Sequence, residues 1–497
     1  MNRTVPGTPW VENRSDDVLE DLWIPTSASR AARAPETGRI LQAEESGALG
    51  RAIAEIIEHA SEVVLVSSFL FAEATTERAL LEAARRGVRV YLLVASEARL
   101  DKEIRTDDSF GMKTLAEHKG LLNRLAGWIC VRSAEHFHAK FVVADPKSRP
   151  RGVLLTANLT REALTRNHEL GVKLGPAEAL ALAGLFTWAF WESAQRELLA
   201  AGSLPPVTAP GRISLPPPSA GIVTTAGARR DLRVSVLDTV RGARRSLILA
   251  TFGIADREVI DALEERARSG TAVTLLVRHP RAVLFETLRG LVHAGVKVLG
   301  VSAWLHAKAI LADGERGLVM TANLETHGLD EGFEVGVRLV GDDAAALGSV
   351  LASWQADARS QLRASAQLGE LGGPVQVMNG KGYRDLSVEP EGRIDDGVTK
   401  VDCCTRIPTA SRPAPARLPG GKLYHRIEHL WSIELPVLVK AARPVPAPKD
   451  ADVPAPPFPI YEEPGGRRIF AVDRPGEAEV ARAAMAEFDV QAIVLRE

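Results

Sequence analysis

The sequence predicts an α/β fold built twice over, and three observations carry that prediction. A strand–helix–Gly–strand order occurs two times at one spacing, a His-x-Lys-x4-Asp motif follows each copy, and a Pro-rich tract separates them. In the first copy the β-rich run Val63-Val-Leu-Val-Ser-Ser-Phe69 leads into a helical stretch ending Ala84-Arg-Arg-Gly87 and then a strand over 88–94. In the second, Ser246-Leu-Ile-Leu-Ala-Thr-Phe252 leads into a helical stretch ending Ala267-Arg-Ser-Gly270 and a strand over 272–277. Phe69 and Phe252 stand 183 positions apart, as do Gly87 and Gly270, and Val94 and Val277. This is the βαβ order that begins a sheet with parallel strands. Two copies at so long a period indicate duplicated domains, not a solenoid.

With 497 residues and roughly 150 per domain, the chain has room for about three domains. The boundaries read from the sequence are an N-terminal extension 1–45, a first α/β domain 46–203, a Pro-rich linker 204–218, a second α/β domain 219–370 related to the first by pseudo-twofold symmetry, and a small Pro-rich α/β accessory domain 371–497. In the accessory domain the pattern predicts an amphipathic helix through Leu423, Ile427, Leu430 and Trp431, a strand at 469–472, a turn at Arg474-Pro-Gly476, a helix at 477–488 and a strand at 490–495.

Composition narrows the class. Hydrophobic residues at 45% and charged residues at 25% exclude a mostly disordered chain. A net charge of −2 means that a polyanion or an anionic lipid surface must be met by a local patch. Three cysteines are too few for a disulfide scaffold and point to a reducing compartment. Asp16, Asp17, Glu20 and Asp21 arrive where a signal peptide needs a basic segment and an apolar core. The longest apolar run, Ala179 to Trp191, falls short of the about 20 residues that a membrane span needs and reads as a buried helix. The expectation is a soluble cytoplasmic protein without a transmembrane segment.

The chemistry-bearing residues lie in the second half of each copy. The first holds His138-Ala-Lys140-Phe-Val-Val-Ala-Asp145, then Thr156-Ala-Asn158, then Glu169-Leu-Gly171. The second holds His306-Ala-Lys308-Ala-Ile-Leu-Ala-Asp313, then Thr321-Ala-Asn323, then Glu334-Val-Gly336. His and Lys two apart on an extended segment share one face. An imidazole, an ammonium and a carboxamide together can attack or protonate, neutralise an anion, and hydrogen-bond its oxygens. One copy cannot complete an in-line displacement at phosphorus, because nucleophile and leaving group lie on opposite sides. Two copies can, with Lys140, Lys308, Asn158 and Asn323 around the non-bridging oxygens and Glu169 and Glu334 each orienting a ring. The cationic side chains supply the positive charge, so neither a metal nor another cofactor is expected. The two rings are expected to begin in opposite protonation states.

These residues resemble the phospholipase D superfamily, whose signature is His-x-Lys-x4-Asp followed by Gly-Ser-x-Asn; the resemblance covers roughly residues 46–370. It implies two similar α/β domains with the site at their interface and a covalent phosphohistidine intermediate. Carried over, it makes His138 the nucleophile and His306 the general acid, with Asp145 and Asp313 supporting the structure beside Thr156 and Thr321. The chain departs from the signature at Leu155-Thr-Ala-Asn158 and Met320-Thr-Ala-Asn323, where a large side chain stands in place of Gly, and a narrower phosphate pocket is expected.

The function expected from the sequence is a metal-independent phosphodiesterase, a nuclease on DNA or RNA before a phospholipid enzyme, because cardiolipin-synthase-like enzymes commonly carry membrane segments. The alternatives are a phosphatidyl hydrolase or transferase of that kind, and an effector or binding module active only with a protein partner bound through residues 371–497. A lipid enzyme needs an exposed apolar rim at its site; a nuclease needs a basic groove. The arginines at 229, 230, 233, 241, 244 and 245 read as a solvated helix face that is also suited to guide a polyanion. His136 and His168 read as structural neighbours of the site, with Trp304 and Phe333 in the aligned places. His425-Arg-Ile-Glu428-His429 matches a zinc-peptidase pattern but is accounted for by the amphipathic helix, and Cys403-Cys404 lacks zinc-knuckle spacing.

Overall fold

A computed structural model of the chain describes residues 38–43, 47–104, 109–219, 221–278, 285–302 and 304–367, with short segments at 2–4, 18–26, 373–378, 383–388, 393–395, 400–402, 443–444, 460–462, 468–472 and 492–495. Two compact units result: Ala28–Ala358, and a second that joins Met1–Ser27 to Arg359–Glu497.

The larger unit holds both copies. In the first lobe β1 (Ile40–Gln42) and α1 (Ala48–Glu58) precede β2 (Val63–Ser68), α2 (Ala74–Arg85), β3 (Arg89–Ala95), α3 (Ser109–Leu125), β4 (Cys130–Ala134), β5 (Phe141–Ala144), β6 (Arg151–Leu155), β7 (Leu170–Lys173) and α4 (Pro176–Trp188). The second lobe repeats the order as β8 (Ile222–Ala226), α5 (Asp231–Arg241), β9 (Ser246–Thr251), α6 (Arg257–Arg268), β10 (Ala272–Arg278), α7 (Phe285–His293), β11 (Lys297–Ser302), β12 (Ala309–Ala312), β13 (Arg316–Met320), β14 (Glu334–Val340) and α8 (Asp342–Ala356). The strand orders β4-β3-β2-β5-β6-β7-β1 and β11-β10-β9-β12-β13-β14-β8 superpose element by element. Each sheet is parallel on one side of β2 or β9 and antiparallel on the other.

The glycines in the repeat have a backbone reason. Gly87 and Gly270 sit just beyond α2 and α6 with φ of 87° and 91°, the left-handed region that ends a helix cheaply only at glycine. The outer face of the first sheet packs on α1 and α2 through Val64, Val66, Ile53 and Leu80. The inner faces of both sheets share one core with α4 and α8, in which Phe141, Phe186, Val319, Leu347 and Trp354 are buried. An apolar sequence such as Ala179-Leu-Ala-Leu-Ala-Gly-Leu-Phe suits a helix covered on most sides. Arg39 ties the lobes by pairing with Glu178 of α4 and Asp343 of α8.

The motif aspartates are structural. Asp145 and Asp313 are the two non-glycine residues with positive φ among those described, at 47° and 55°, a conformation Asp tolerates better than most residues. From the turn after β5, the Asp145 carboxylate accepts the backbone N–H groups of Ser61, Glu62 and Val63 at 2.8–2.9 Å. Asp313 accepts those of Arg244, Arg245 and Ser246. Each carboxylate thus anchors the start of the central strand.

Three expectations about organisation change. The first lobe begins before residue 46, because β1 pairs antiparallel with β7. Residues 1–45 are not a separate extension: Val18–Pro25 pairs antiparallel with Ser360–Gln367, and Asn2–Thr4 with Ala492–Leu495. The second lobe therefore ends near Ala358 and not at 370. Such pairings join segments hundreds of residues apart and leave no local trace in the sequence. The accessory residues that are described form strands, including Arg468–Val472 parallel to Ala492–Leu495. The helices expected at 423–431 and 477–488, the turn at 474–476, His425, Glu428, His429, Cys403 and Cys404 lie outside the described residues.

Asp145→Ala is expected to lower the unfolding free energy by about 2–4 kcal/mol, since it leaves three backbone donors unpaired. Asp145→Asn keeps an acceptor and the backbone preference and should cost less. Burial alone would raise the Asp145 carboxyl, but the Val63, Ser61 and Glu62 N–H groups hold it below the ordinary range. Its contribution is therefore present at neutral pH and lost as pH falls through that lowered value. Urea titrations of the three proteins at pH 7 and pH 3 check this; equal midpoints for wild type and Asp145→Ala at pH 7 would remove the anchoring role.

Candidate active site

The extended segments before β5 and β12 carry His138–Lys140 and His306–Lys308 into the junction between the lobes. There each segment pairs with the other lobe, not its own. His138 N donates to Phe333 O at 3.1 Å, and Phe333 N donates to His136 O at 2.6 Å. On the symmetric side His168 N donates to Trp304 O at 3.0 Å, and His306 N and Ala307 N donate to His168 O at 3.2 and 2.9 Å. Phe333 and His168 immediately precede Glu334 and Glu169, so these bridges bring each glutamate to the opposite lobe's histidine. His138 Nδ1 lies 2.6 Å from Glu334 Oε1, and His306 Nδ1 lies 2.6 Å from Glu169 Oε1.

The glutamates are fixed from behind. Thr156 Oγ1 donates to Glu169 Oε2 at 2.6 Å while accepting from Leu170 N at 2.9 Å. Thr321 Oγ1 donates to Glu334 Oε2 and accepts from Val335 N at 3.1 Å. A relay thus runs from a backbone N–H through a hydroxyl and a carboxylate to an imidazole, twice. This is why the motif needs a hydroxyl two residues before its asparagine. With Nδ1–H committed to a carboxylate, Nε2 of each ring is the atom that faces the chemistry, and at His306 Lys308 Nζ stands 3.0 Å from it.

Lys140 and Lys308 are fully buried, a state lysine adopts only with partners. Lys140 Nζ donates to His138 O at 2.5 Å and Lys308 Nζ to His306 O at 2.7 Å. Each ammonium also lies 5.9 Å from the ring centre of Phe69 or Phe252. Those same rings meet His138 and His306 edge-on at 5.0 and 4.9 Å. The phenylalanines are site residues that motif reasoning missed; their signal was their place at the end of each repeated β-run. Asn158 and Asn323 occupy symmetric places, and their carboxamide oxygens are buried without a hydrogen-bond partner. That costs about 1–3 kcal/mol each, which a bound hydroxyl or a turn of the amide relieves.

The buried groups shift one another. Burial is the largest influence on His306 and, with Lys308 and Lys140, overrides Glu169 to push the imidazole down to about 4. His138 moves in the same direction: burial, Lys140 and Lys308 outweigh Glu334. Burial would raise both carboxyls, but the facing imidazole and lysine hold Glu169 and Glu334 below the ordinary range. Lys308 is lowered to about 8 by burial, against Glu169, Glu334 and Glu325. Each lysine's field acts on the other lobe's histidine as well as on its own. Glu169, Glu334 and Lys308 thus keep their charged forms near pH 7, while both imidazoles are pushed toward the neutral form. Both rings shift in the same direction in the empty site; the negative charge of a bound phosphodiester favours the protonated form of one of them, as the expectation of opposite protonation states requires.

The other sequence expectations resolve as follows. Leu155 packs into the outer core with Leu49 and Ile53, and Met320 is wholly buried, so neither narrows the site. Strand alternation turns each away from the face that its neighbouring threonine occupies. The arginine row is largely spent on carboxylates: Arg229 with Asp231, Arg230 with Asp330, Arg233 with Asp256, Glu258 and Asp330, Arg241 with Glu258, and Arg245 with Glu315. His168 meets Trp354 edge-on at 5.6 Å, and the His136 ring lies 5.8 Å from that of His327. Among the described residues no His, Cys, Asp and Glu cluster has a metal-holding arrangement, and no helix is long and apolar enough to cross a membrane.

Binding of a phosphodiester monoanion beside two imidazoles held toward the neutral form is expected to raise an imidazole pKa and draw in roughly one proton near pH 7. Calorimetry with dimethyl phosphate in buffers of different ionisation enthalpy measures that uptake. Glu169→Gln, which removes one negative charge beside His306, should reduce it. Binding without proton uptake in the wild type would show that the imidazoles are not held toward the neutral form.

A family model described as "Cardiolipin synthase, PLD-like domain" matches the chain over residues 53–184 and again over 236–349. Cardiolipin synthase A of Pectobacterium carotovorum is 35% identical over 147 residues, 27% of this chain and 29% of that protein. The cardiolipin synthase of Geobacillus thermodenitrificans is 32% identical over 113 residues, 21% of this chain and 22% of that protein. The chain therefore matches less than a third of the length of these curated relatives. The crystal structure of the phosphatidylserine synthase of Haemophilus influenzae aligns with a TM-score of 0.46 at 12% identity, covering 72% of this chain and 89% of that one. Two matched segments, each delivering one His-x-Lys motif to the other's glutamate, make this chain a member of the phospholipase D superfamily.

Proposed function

We propose that the protein transfers phosphatidyl groups between alcohols through a phosphohistidine, with His138 as nucleophile and His306 as general acid and base. In the first step His138 Nε2 attacks phosphorus, the bond to the leaving alkoxide breaks, and His306 Nε2–H protonates the departing oxygen. In the second, His306 takes the proton of an accepting alcohol, whose oxygen attacks phosphorus as the P–N bond breaks. Lys140 and Lys308 offset the charge on the non-bridging oxygens in both steps. Glu334 and Glu169 hold the rings and stabilise each imidazolium as it forms.

The observation that carries lipid over nucleic acid is the surface beside the first motif. Phe110 and Met112 on α3 are 55% and 40% exposed. The same helix packs Leu115 against Phe69, the ring that meets His138. Exposed apolar side chains on a helix that reaches the catalytic imidazole through Leu115 and then Phe69 suit a lipid surface. The paired arginine row, by contrast, offers little free charge to a polyanion. The names of the curated relatives, cardiolipin synthases matched in the first instance over 147 residues, support the same reading.

The test sets wild type beside His138→Ala on phosphatidylglycerol vesicles, single-stranded DNA, duplex DNA and RNA, all in EDTA. Phosphatidyl transfer or release should appear with the vesicles alone and fall by roughly 10³-fold or more in the variant. Two buried ammoniums already supply the positive charge, so the chelator should not matter. Cleavage of a nucleic acid with lipid untouched would restore the nuclease reading, and loss of all turnover in EDTA would refute the metal-free scheme.

A further inference from the structure

The pseudo-twofold axis gives each catalytic imidazole an equivalent rim, and the two rims carry opposite charge. Beside His306, the first lobe contributes Arg166, three residues before Glu169, and the second lobe contributes Trp304, two residues before His306. The guanidinium carbon of Arg166 lies 3.5 Å from the centre of the Trp304 ring, so the two planes meet across the lobes. Arg166 is exposed, Trp304 is 37% exposed, and among the described residues no carboxylate pairs with Arg166. The equivalent positions beside His138 are Glu331 and His136. There the His136 ring faces His327, and His327 Nδ1 lies 3.3 Å from Glu331. A guanidinium on one rim is thus matched by a carboxylate on the other. Deeper on the His306 side, Arg278 lies 5.3 Å from the Phe252 ring, where the first lobe has Ala95, and Glu325 acts on Lys308.

We infer that Arg166 and Trp304 form an anion subsite that holds a second phosphate, carried by the alcohol that leaves or accepts the phosphatidyl group; this rests on the transfer reading above. Stacking on an indole fixes the plane of a guanidinium while its N–H edges stay open for a bidentate contact with phosphate oxygens. In a double displacement the leaving and accepting alcohols both occupy the side opposite the nucleophile. A cationic subsite on the His306 rim therefore reads that alcohol and no other part of the substrate, and the carboxylate at the His138 rim repels a second anion there. The same asymmetry makes His138, not His306, the nucleophile. The preferred acceptor is then a phosphate-bearing alcohol, either a lipid headgroup or a soluble phosphate ester, in preference to water or a neutral polyol.

The test measures acceptor choice by the full chain with a phosphatidyl donor in vesicles. Phosphatidylglycerol in the same vesicles and soluble glycerol 3-phosphate are the phosphate-bearing acceptors, and glycerol is the neutral one. Arg166→Ala and Trp304→Ala should each lower the ratio of phosphate-bearing to neutral transfer by at least about tenfold, through the acceptor KM and not kcat. Arg166→Lys should recover part of the loss, and Glu331→Gln should move the ratio less than about twofold. Whether the effect follows the vesicle lipid or the soluble ester separates the two sources. An unchanged ratio in Arg166→Ala, or equal losses with all acceptors, overturns the subsite. If wild type transfers to no acceptor, the functional reading fails instead. The subsite is then judged by glycerol 3-phosphate inhibition of bis(p-nitrophenyl) phosphate cleavage: weakening of at least about tenfold in Arg166→Ala sustains it, and no change ends it.

Discussion

Lys140, Glu169, Lys308 and Glu334 are buried at the junction of two lobes, and each is tolerable there because of the others. Removing any one leaves an uncompensated charge in a dry interior. The two imidazoles complete the arrangement by crossing: His138 is held by the second lobe's Glu334 and His306 by the first lobe's Glu169. Neither lobe alone has a held ring, so the interface and the site are one structure. Burial and the two lysines push both imidazoles toward the neutral form, and the two carboxylates oppose that push.

The scaffold serves that crossing at every level. Asp145 and Asp313 anchor the central strands beside β5 and β12, the strands into which the motif segments lead. Thr156 and Thr321 tie the glutamates to the backbone of β7 and β14. Short backbone bridges such as His138 to Phe333 then set the register between lobes, and the inner core of α4, α8 and both sheets holds that register rigid. Preorganisation of this kind is what an electrostatic site requires, since groups already in place need not move as charge develops.

Duplication supplies symmetry, and chemistry needs that symmetry broken. Attack and protonation are different tasks, yet Phe69 and Phe252, Lys140 and Lys308, and Asn158 and Asn323 are nearly interchangeable in place. The differences lie around them, in the apolar surface of α3 on one lobe and in the contrast of Arg166 and Trp304 with Glu331 and His136. Residues outside the repeated set are thus where the two halves of the site differ.

Much of this was legible in the sequence because its causes are local. Alternation along an extended segment put His138 and Lys140 on one face; the helix-ending glycines and β-rich runs marked the βαβ units; and the recurrence of His, Lys, Thr, Asn and Glu named the reacting set. What pairs with what was not legible. That Glu169 serves His306, that residues 18–25 pair with 360–367, that Leu155 and Met320 turn into the core, and that the arginines at 229–245 are bound to carboxylates all depend on contacts between distant segments. Residue types and spacing determine which groups a strand presents; only the packing of one lobe on another determines which groups they meet, and with that their charge.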